Sequence, residues 1–369
     1  MDPFAHTFTG AALAASGLRR TTPLATAALL IGVNAPDIDI LASYGGEYMA
    51  LANRRGWTHG ILAWIVLPLL LTGLLAGWDR WVRRRRRPDA VPANLYILLA
   101  LSTLAVLTHP ALDWLNNYGI RLLMPFDGRW FYGDALFIID PWVWLVLGGA
   151  CFITWSRHWS SILMWLLFWG GASWLVLGNT MTPDAARYLW FAGLTGIFCW
   201  RMFEPPLPSA ARLAQCSLAL VLIYTGANTT AGRIAEARVA QYINSGGNAA
   251  AETVMVGPVP ANPFQGHVVV VTDTQYLIGN WNWLAAGSFT LTGDPIERNL
   301  DNSVINAAAS HIYARRYLVW SRFPYGVVEQ MPGGKYQVQF FDARYAGLNR
   351  GIGGPVIRLD RELKLLSGN

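Results

Sequence analysis

The sequence predicts a mainly α-helical, polytopic membrane bundle of about eight helical segments, followed by a small β-rich domain outside the membrane. The 369-residue chain is 53% hydrophobic and only 14% charged, which is too apolar for an ordinary soluble protein of this size. Its long apolar runs are separated by clusters of arginine. After about Ala231 these runs shorten, and Asn, Gly and Pro become frequent. The predicted domains are therefore residues 1–231 in the membrane and residues 232–369 outside it.

The first two apolar runs are short. Phe4 to Leu18 and Pro23 to Val33 flank Arg19-Arg20, and each is shorter than the ~20 apolar residues that a membrane-spanning helix needs. We expect either thin or tilted spans, or a hairpin that enters the bilayer without crossing it. The sequence Asn34-Ala35-Pro36-Asp37-Ile38-Asp39 ends the second run.

Six later apolar runs complete the predicted bundle. They are Ile61 to Trp78, Leu95 to Leu107, Ala135 to Trp155, Ile162 to Leu177, Tyr188 to Trp200 and Leu213 to Thr225. Basic loops remain in the cytoplasm, and this rule places four arginine-bearing segments on that side: Arg19-Arg20, Arg83 to Arg87, Arg157 and Arg201 to Arg212. The resulting topology puts both termini in the periplasm, outside a bacterial inner membrane. The net charge of +6 then reflects cytoplasmic loops, and no nucleic-acid binding is expected.

The C-terminal region contains strand-like runs. His267 to Thr272, Tyr317 to Phe323 and Tyr336 to Phe341 are rich in β-branched and aromatic residues, and Gly333-Gly334 is a turn signal. The three cysteines, Cys151, Cys199 and Cys216, lie in apolar runs without the spacing of zinc ligands. We expect no disulfide.

A candidate metal site follows from the polar residues at the ends of these helices. His109, Asp113 and Asn116 stand at i, i+4 and i+7, so they share one face if the helix continues. The predicted topology places six potential ligands on the periplasmic side: His6, Asp37, Asp39, His59, His109 and Asp113. Imidazole and carboxylate without thiolate suit zinc, with manganese or iron as alternatives. Six ligands exceed the needs of one tetrahedral ion, so one or two divalent ions would fit.

Each of these residues also has a purely structural interpretation. Asp37 and Asp39 could form a solvated turn, and His6 could be a packed histidine. Thr58-His59 could simply cap a helix without binding a metal. Arg55 is either a loop charge or the group that holds an anionic part of the substrate. Five further residues are candidates for contacting and orienting the ligands without binding the metal themselves: Asn34, Thr58, Asn116, Tyr118 and Asp140.

The motifs together resemble a known family. His6-x-x-x-Gly10, Pro36-Asp37-x-Asp39, Arg55-Gly56-x-Thr58-His59, His109-x-x-Leu112-Asp113-x-x-Asn116-x-Tyr118-Gly119 and Asp140-Pro141 occur in this order. The set is similar to the inner-membrane metal-dependent hydrolases of the domain-of-unknown-function 457 type, the YdjM- and YfhP-like proteins, over roughly the first 150 residues. The resemblance implies hydrolase activity and the six metal ligands named above. One departure is Arg54, which stands where the family often has a histidine.

The leading hypothesis is a membrane-bound metal-dependent hydrolase at the periplasmic face. Its expected partners are membrane lipids and a lipid or amphipathic substrate, such as a lipid-linked phosphoester; the sequence identifies no protein partner. The metal would activate a water molecule, or Asp37, Asp39 or Asp113 would act as the general base, with Arg55 at the substrate. One alternative is a transporter or channel that binds ions or solutes at the polar cluster. Another is a non-catalytic membrane anchor that presents the β-rich domain.

Overall fold

The computed structural model of this protein describes residues 1–179, 182–203, 209–246, 250–299, 301–346 and 353–366. It confirms the predicted fold class, because apolar helices dominate the first part of the chain and antiparallel strands the last part. The chain divides into two compact units. The first comprises Met1–Ile38, Arg55–Ala231 and Pro258–Pro263. The second comprises Asp39–Arg54, Gly232–Gly257 and Phe264–Asn369. Asp39–Arg54 therefore groups with the C-terminal segments, although it lies within the predicted membrane domain.

The long helices of the first unit follow the apolar runs of the sequence, and several short helices lie outside those runs. In chain order they are α1 Pro3–Ala15, α2 Ala25–Gly32, α3 Glu47–Asn53, α4 Ile61–Trp78, α5 Arg84–Arg86, α6 Leu95–Trp114, α7 Pro141–Val143, α8 Gly149–Trp155, α9 Trp159–Gly178, α10 Asp184–Phe203, α11 Ala210–Ser245, α12 Ser303–Ala309 and α13 Ile312–Trp320. Single π-helical segments, Asp79–Arg83 and Trp144–Gly148, join α4 to α5 and α7 to α8. A 3₁₀ segment, Ala35–Gly45, follows α2.

Five helical stretches of the described chain are long and apolar enough to cross a membrane. They are Ala25–Gly45, Ile61–Arg86, Leu95–Trp114, Trp159–Gly178 and Ala210–Ser245, and Pro141–Trp155 is a shorter apolar helix. The helix α6 extends the predicted run Leu95 to Leu107 by two turns, passing through Pro110. This extension carries His109 and Asp113 on the same helix.

Two further predicted runs differ clearly from the helices that the structure shows. The run predicted over Ala135 to Trp155 becomes helical only at Pro141, because the Asp140 carboxylate accepts hydrogen bonds from the backbone N–H groups of Trp142 and Val143 and caps the helix there. The run predicted over Leu213 to Thr225 is the middle of the 36-residue helix α11. Its polar second half, which lacks the apolar signal of a span, is nevertheless helical.

The packing of α2 against α6 positions one edge of the candidate site. Leu29, Leu98 and Ala105 are fully buried in the core that these helices share with α4. A Cβ atom at Gly32 would lie 2.6 Å from the Cβ of Ala105, so α2 and α6 can approach this closely only because residue 32 is glycine. The end of α2 is therefore held directly beside the last turns of α6.

The strands of the C-terminal region form two sheets. They are β1 Thr253–Val259, β2 Asn262–Val271, β3 Gln275–Asn282, β4 Phe289–Leu291, β5 Ile296–Glu297, β6 Pro324–Met331, β7 Lys335–Asp342 and β8 Val356–Leu359. One sheet has the order β1-β2-β3-β4 with β5 paired to β3, and the other has the order β6-β7-β8. The antiparallel β2–β3 pair sets Val269 opposite Ile278. Gly333 and Gly334 connect β6 to β7 with φ angles of 81° and 73°, as the turn signal predicts.

The strand predicted over Tyr317 to Phe323 is wrong. Tyr317 and Trp320 belong to α13, whose N-terminus is capped by His311. The buried residues of this helix, Ala314, Tyr317 and Trp320, recur every three positions, which is helical spacing. The aromatic and β-branched composition resembled a strand, but the burial of these side chains decided the conformation.

Candidate metal centre

The last turns of α6 carry two of the predicted ligands. His109 and Asp113 are 0% and 1% exposed, and His109 Nε2 lies 3.5 Å from Asp113 Oδ2. His109 Nδ1 lies 2.6 Å from the carbonyl oxygen of Val33 at the end of α2. Because a carbonyl oxygen can only accept a hydrogen bond, Nδ1 carries the proton. In the neutral ring the Nε2 lone pair is then directed toward Asp113 and its neighbours.

His59 brings a second imidazole to the same point. It lies in the turn before α4, and its Nε2 is 3.1 Å from His109 Nε2 and 3.4 Å from Asp113 Oδ2. Its Nδ1 lies 2.9 Å from the Thr58 hydroxyl oxygen. The Trp64 indole N–H donates to the carbonyl oxygen of His59 at 2.7 Å, which anchors this turn to the first turn of α4.

The third imidazole comes from α1. His6 is fully buried, and its ring stacks on that of His109 with centroids 3.8 Å apart and an interplanar angle of 12°. His6 Nε2 lies 3.3 Å from Asp113 Oδ1. The Met1 ammonium pairs with the same carboxylate oxygen. Asp2 caps α1 by accepting hydrogen bonds from the backbone N–H groups of Phe4 and Ala5, so the first turn that carries His6 is well defined.

Asp37 completes the cluster from the 3₁₀ segment after α2. Its Oδ1 lies 3.8 Å from His109 Nε2, and its side chain is 19% exposed. The potential ligand atoms form two groups, His6–His109–Asp113 and Asp37–His59–His109, and within each group they all lie within 4.8 Å of one another. Because His109 belongs to both groups, the arrangement could hold one ion or two adjacent ions.

Asp39 is the one predicted ligand that neither group contains among the described residues. Its Oδ1 accepts a hydrogen bond from Arg54 Nη1 at 2.7 Å, and its side chain is 5% exposed. Arg54 is therefore an ion-pair partner of Asp39. A metal-ligand role for Asp39 stays a prediction.

Arg55 is buried and bound to the protein through several atoms. It is 3% exposed, and its Nε lies 2.9 Å from Asp113 Oδ2. Its Nη1 donates to Asn116 Oδ1 at 2.8 Å and to the carbonyl oxygen of Gly119 at 3.1 Å. Its guanidinium carbon lies 4.7 Å from the ring centroid of Tyr118. These contacts hold Asp113 and the loop after α6, whereas contact between Arg55 and a substrate stays a prediction.

The five residues predicted to orient the metal ligands make different contacts in the structure. Thr58 contacts His59, while Asn116 and Tyr118 contact Arg55. Asn34 donates to the carbonyl oxygen of Leu30 at 2.9 Å and is hydrogen-bonded to Thr7, beside His6. The contacts of Asp140 within the described chain are instead the helix cap and the Tyr224 hydroxyl, which donates to Asp140 Oδ2 at 3.1 Å.

The donor set fits a divalent cation. Two imidazole Nε2 atoms face each other at 3.1 Å with carboxylate oxygens of Asp113 and Asp37 beside them. Ligand atoms about 2.0–2.2 Å from one zinc ion lie roughly 3–4 Å from one another, so this spacing suits a shared cation. His6 Nδ1 is buried and has no hydrogen-bond partner within the described part of the chain.

Some contacts of the centre had no signal in the sequence. The carbonyl oxygen of Val33 orients His109, and that of Gly119 receives Arg55. Backbone carbonyls are present at every residue, so no residue type indicates which of them will contact a distant side chain. A φ angle of 86° at Gly119 explains why glycine follows Tyr118 in this loop.

Comparison with known proteins concerns mainly the first half of the chain. The model of the YdjM inner membrane protein family matches residues 1–183. A segment of 118 residues is 27% identical to the uncharacterized protein YfhP of Bacillus subtilis (strain 168). This match covers 32% of the chain and 33% of YfhP, so the chain spans about a third of this relative's length. No solved structure matches the chain.

Proposed function

Because the model of the YdjM inner membrane protein family matches residues 1–183 of this chain, we propose that the protein is a membrane-embedded, metal-dependent hydrolase. The family match and the five apolar helices make the chain a membrane protein. The observation that carries the proposal of hydrolysis is the convergence of three imidazoles and two carboxylates around His109 Nε2. Residues from α1, α6 and the segments before α4 and after α2 meet there, although they are far apart in sequence.

His6, His59 and His109 would hold the metal together with Asp37 and Asp113, and zinc, manganese and iron all suit these ligands. When bound, such an ion lowers the pKa of a water molecule and polarises the bond to be cleaved. Asp113 is buried against Arg55, whereas Asp37 is the more exposed carboxylate of the centre. We assign Asp37 the role of accepting a proton from the attacking water, with Asp113 as a ligand that Arg55 holds in place.

The position of the centre supports a substrate at the membrane surface. His6 lies in the first turn of α1, His59 precedes α4, and His109 and Asp113 lie in the last two turns of α6. Ligands at helix ends are at the depth of lipid headgroups. A lipid or other amphipathic phosphoester would present its polar group there and keep its apolar part in the bilayer. The arginine-bearing segments support placing this end of the bundle in the periplasm.

The proposal is tested by the metal content and hydrolytic activity of the purified full-length protein. We expect at least one equivalent of zinc, manganese or iron, and turnover of a phosphoester within a panel of lipid and soluble substrates. Asp113→Asn keeps the size of the side chain but removes the charge that balances the cation. Metal content and turnover should therefore fall together in Asp113→Asn and in His109→Ala.

His158→Ala is the matched control, because His158 is exposed at the start of α9. It should retain both metal and activity. Size-exclusion profiles would establish that each variant still folds. An absence of stoichiometric metal, or full activity in Asp113→Asn, would contradict the proposal. Uptake of metal or solute into vesicles without turnover of any ester would instead support a transporter.

A further inference from the structure

An apolar groove runs along the membrane helices of the first unit. Its volume is about 560 Å³, and its eleven lining residues come from α1, α2, α8 and α9. None of these lining residues is charged. The volume lies within the roughly 300–1,000 Å³ that is usual for small-molecule sites. Such an uncharged groove suits a hydrocarbon chain far better than a polar metabolite.

One end of this groove is connected to the candidate metal centre. Thr7 and Leu30 line the groove, and Asn34 is hydrogen-bonded to the Thr7 hydroxyl and to the Leu30 carbonyl oxygen. Asn34 directly follows Val33, whose carbonyl oxygen contacts His109 Nδ1. Thr7 also directly follows His6. The α1 wall of the groove is thus linked to the centre because Thr7 adjoins His6. The α2 wall is linked to it because Leu30 is bonded to Asn34, which adjoins Val33.

The groove leads from this end along the membrane helices. Its lining includes Thr7 and Ala11 of α1 and Trp155 at the end of α8. The distance along α1 from Phe4 to Ala11 is about 10 Å, at 1.5 Å per residue. The Arg19 guanidinium lies 5.0 Å from the ring centroid of Trp155. The end of the groove far from the metal centre therefore lies beside the basic segment that follows α1.

The groove is open on one side, where some of its lining side chains are exposed at the surface of the first unit. Met164 is 69% exposed on α9, a helix long and apolar enough to cross a membrane, and Phe4 is 51% exposed on α1. In a bilayer, Met164 would meet lipid hydrocarbon, whereas Phe4, in the same turn of α1 as His6, would lie near the headgroups. A lipid acyl chain can therefore enter the groove laterally from the bilayer without passing through water.

We propose that this groove binds one acyl chain of a glycerophospholipid substrate and thereby places its headgroup ester at the metal centre. The inference rests on the proposed function and specifies its substrate class. Lipid tails are as apolar as the groove, so transfer from the bilayer yields little hydrophobic free energy. Binding would instead come from close packing of the chain and from the headgroup at the centre. The main effect of the groove is orientation, which brings the reacting bond to the metal.

The test uses the full-length protein reconstituted in vesicles of phosphatidylglycerol that carries a diazirine in one acyl chain. Illumination followed by peptide mapping should place the label on the α1 segment Phe4 to Ala11 and on the α9 segment Met164 to Phe168. Ala11→Phe and, on the opposite wall, Thr26→Leu should each reduce this labelling several-fold, because they fill the groove. Two variants on different helices guard against misfolding of either one.

Leu167→Phe is the matched control, since Leu167 is 69% exposed on α9 and does not line the groove. Its labelling pattern should equal that of the unmodified protein. The filling variants should keep their metal content and their turnover of a water-soluble phosphoester, while turnover of phosphatidylglycerol falls several-fold.

Two results separate the inference from the proposed function. Labelling spread evenly over the exposed helix faces and unchanged by Ala11→Phe would overturn the acyl-chain site, even in an active metalloenzyme. Groove-specific labelling in a protein that binds no metal and cleaves no ester would instead overturn the proposed function and the assignment of the lipid as substrate.

Discussion

At the scale of single residues, Arg55 shows how a buried charge can organise a site. Its guanidinium contacts the Asp113 carboxylate, the Asn116 amide and the Gly119 carbonyl oxygen at once. A planar fork with five N–H donors can satisfy several acceptors in fixed directions, which an ammonium group cannot do. Its φ angle of 51° turns the chain between Arg54 and His59. Arg55 therefore fixes the orientation of Asp113 through Oδ2, the carboxylate oxygen that also lies beside the Nε2 atoms of His59 and His109.

We predict that Arg55→Lys weakens metal binding without removing a ligand. Lysine can keep the charge near Asp113 but cannot also bind Asn116 and Gly119, so Asp113 loses its fixed orientation. The affinity for zinc should fall by roughly 10–100-fold, as is typical when a group that orients a ligand is lost. Competition titration against a chelator measures this change. Arg54→Lys, in which a half-buried arginine paired with Asp39 is replaced, should have a smaller effect; equal losses would show that Arg55 has no special role.

At the scale of secondary-structure elements, Asp342 joins the end of α13 to the end of β7. Its Oδ2 accepts hydrogen bonds from the Ser321 hydroxyl and from the backbone N–H of Arg322, both at 2.7 Å. Arg344 Nη2 lies 2.9 Å from the same oxygen, and neither side chain of this pair is exposed. The guanidinium of Arg344 lies 4.7 Å from the ring centroid of Trp320. One carboxylate thus fastens a helix, a strand and a buried arginine together.

The pKa of Asp342 makes this junction sensitive to acid. Burial alone would raise the pKa of Asp342, but the charge of Arg344 and the hydrogen bonds from Arg344 and Ser321 outweigh burial and lower it. A lowered carboxyl pKa contributes stability that is complete above the unfolded pKa of about 3.9. This stability is lost as the pH falls through the folded pKa.

We therefore predict that Asp342→Asn destabilises the junction at pH 7 and makes its stability less dependent on pH. Breaking a buried ion pair by removing one partner costs about 3–5 kcal/mol. Hydrogen exchange of the full-length protein, corrected for the intrinsic pH dependence of exchange, would show lost protection in β7 at pH 7. Asp294→Asn, at an exposed position of the same unit, should leave this protection unchanged. Full protection of β7 in Asp342→Asn would contradict the role of the pair.

At the scale of the whole molecule, the distribution of arginine relates the site to the membrane. The cluster Arg83 to Arg87 begins five residues after the end of the apolar helix α4, and His59 precedes that helix. The helix α4 is long and apolar enough to cross a bilayer, and we expect its two ends to face opposite sides. A cytoplasmic location for the arginine cluster then puts His59, and the ligands that it contacts, on the periplasmic side.

The corresponding prediction uses topology reporters. A reporter joined after Asn369 should be active only if it functions in the periplasm, and one inserted at Arg85 only if it functions in the cytoplasm. The physical reason is the retention of basic loops on the cytoplasmic side. The opposite pattern would move the candidate centre to the cytoplasmic face and exclude periplasmic substrates.

Much of the helical architecture could be predicted from the sequence, because apolar length and arginine clusters are local properties. The span Ile61 to Trp78 has the same limits in the sequence prediction and in the structure. The spacing of His109 and Asp113 predicts a shared helix face, and they do share one, since side chains four residues apart in a helix are neighbours. Tyr317 and Trp320 lie in a helix and not in the predicted strand, because composition alone does not show which side chains will be buried.

Only the tertiary structure decided which polar residues meet. Asp37 and Asp39 look equivalent in the sequence, yet Asp37 lies beside His109 and Asp39 pairs with Arg54. Residues two apart do not face the same side of a helical segment, so no more than one of them can easily point to a given partner. His6 and His59 reach His109 because of how α1, α4 and α6 pack together. The sequence by itself therefore determined the apolar membrane helices and the identity of the candidate ligands, because both depend on local residue types. Long-range packing determined which of these ligands meet.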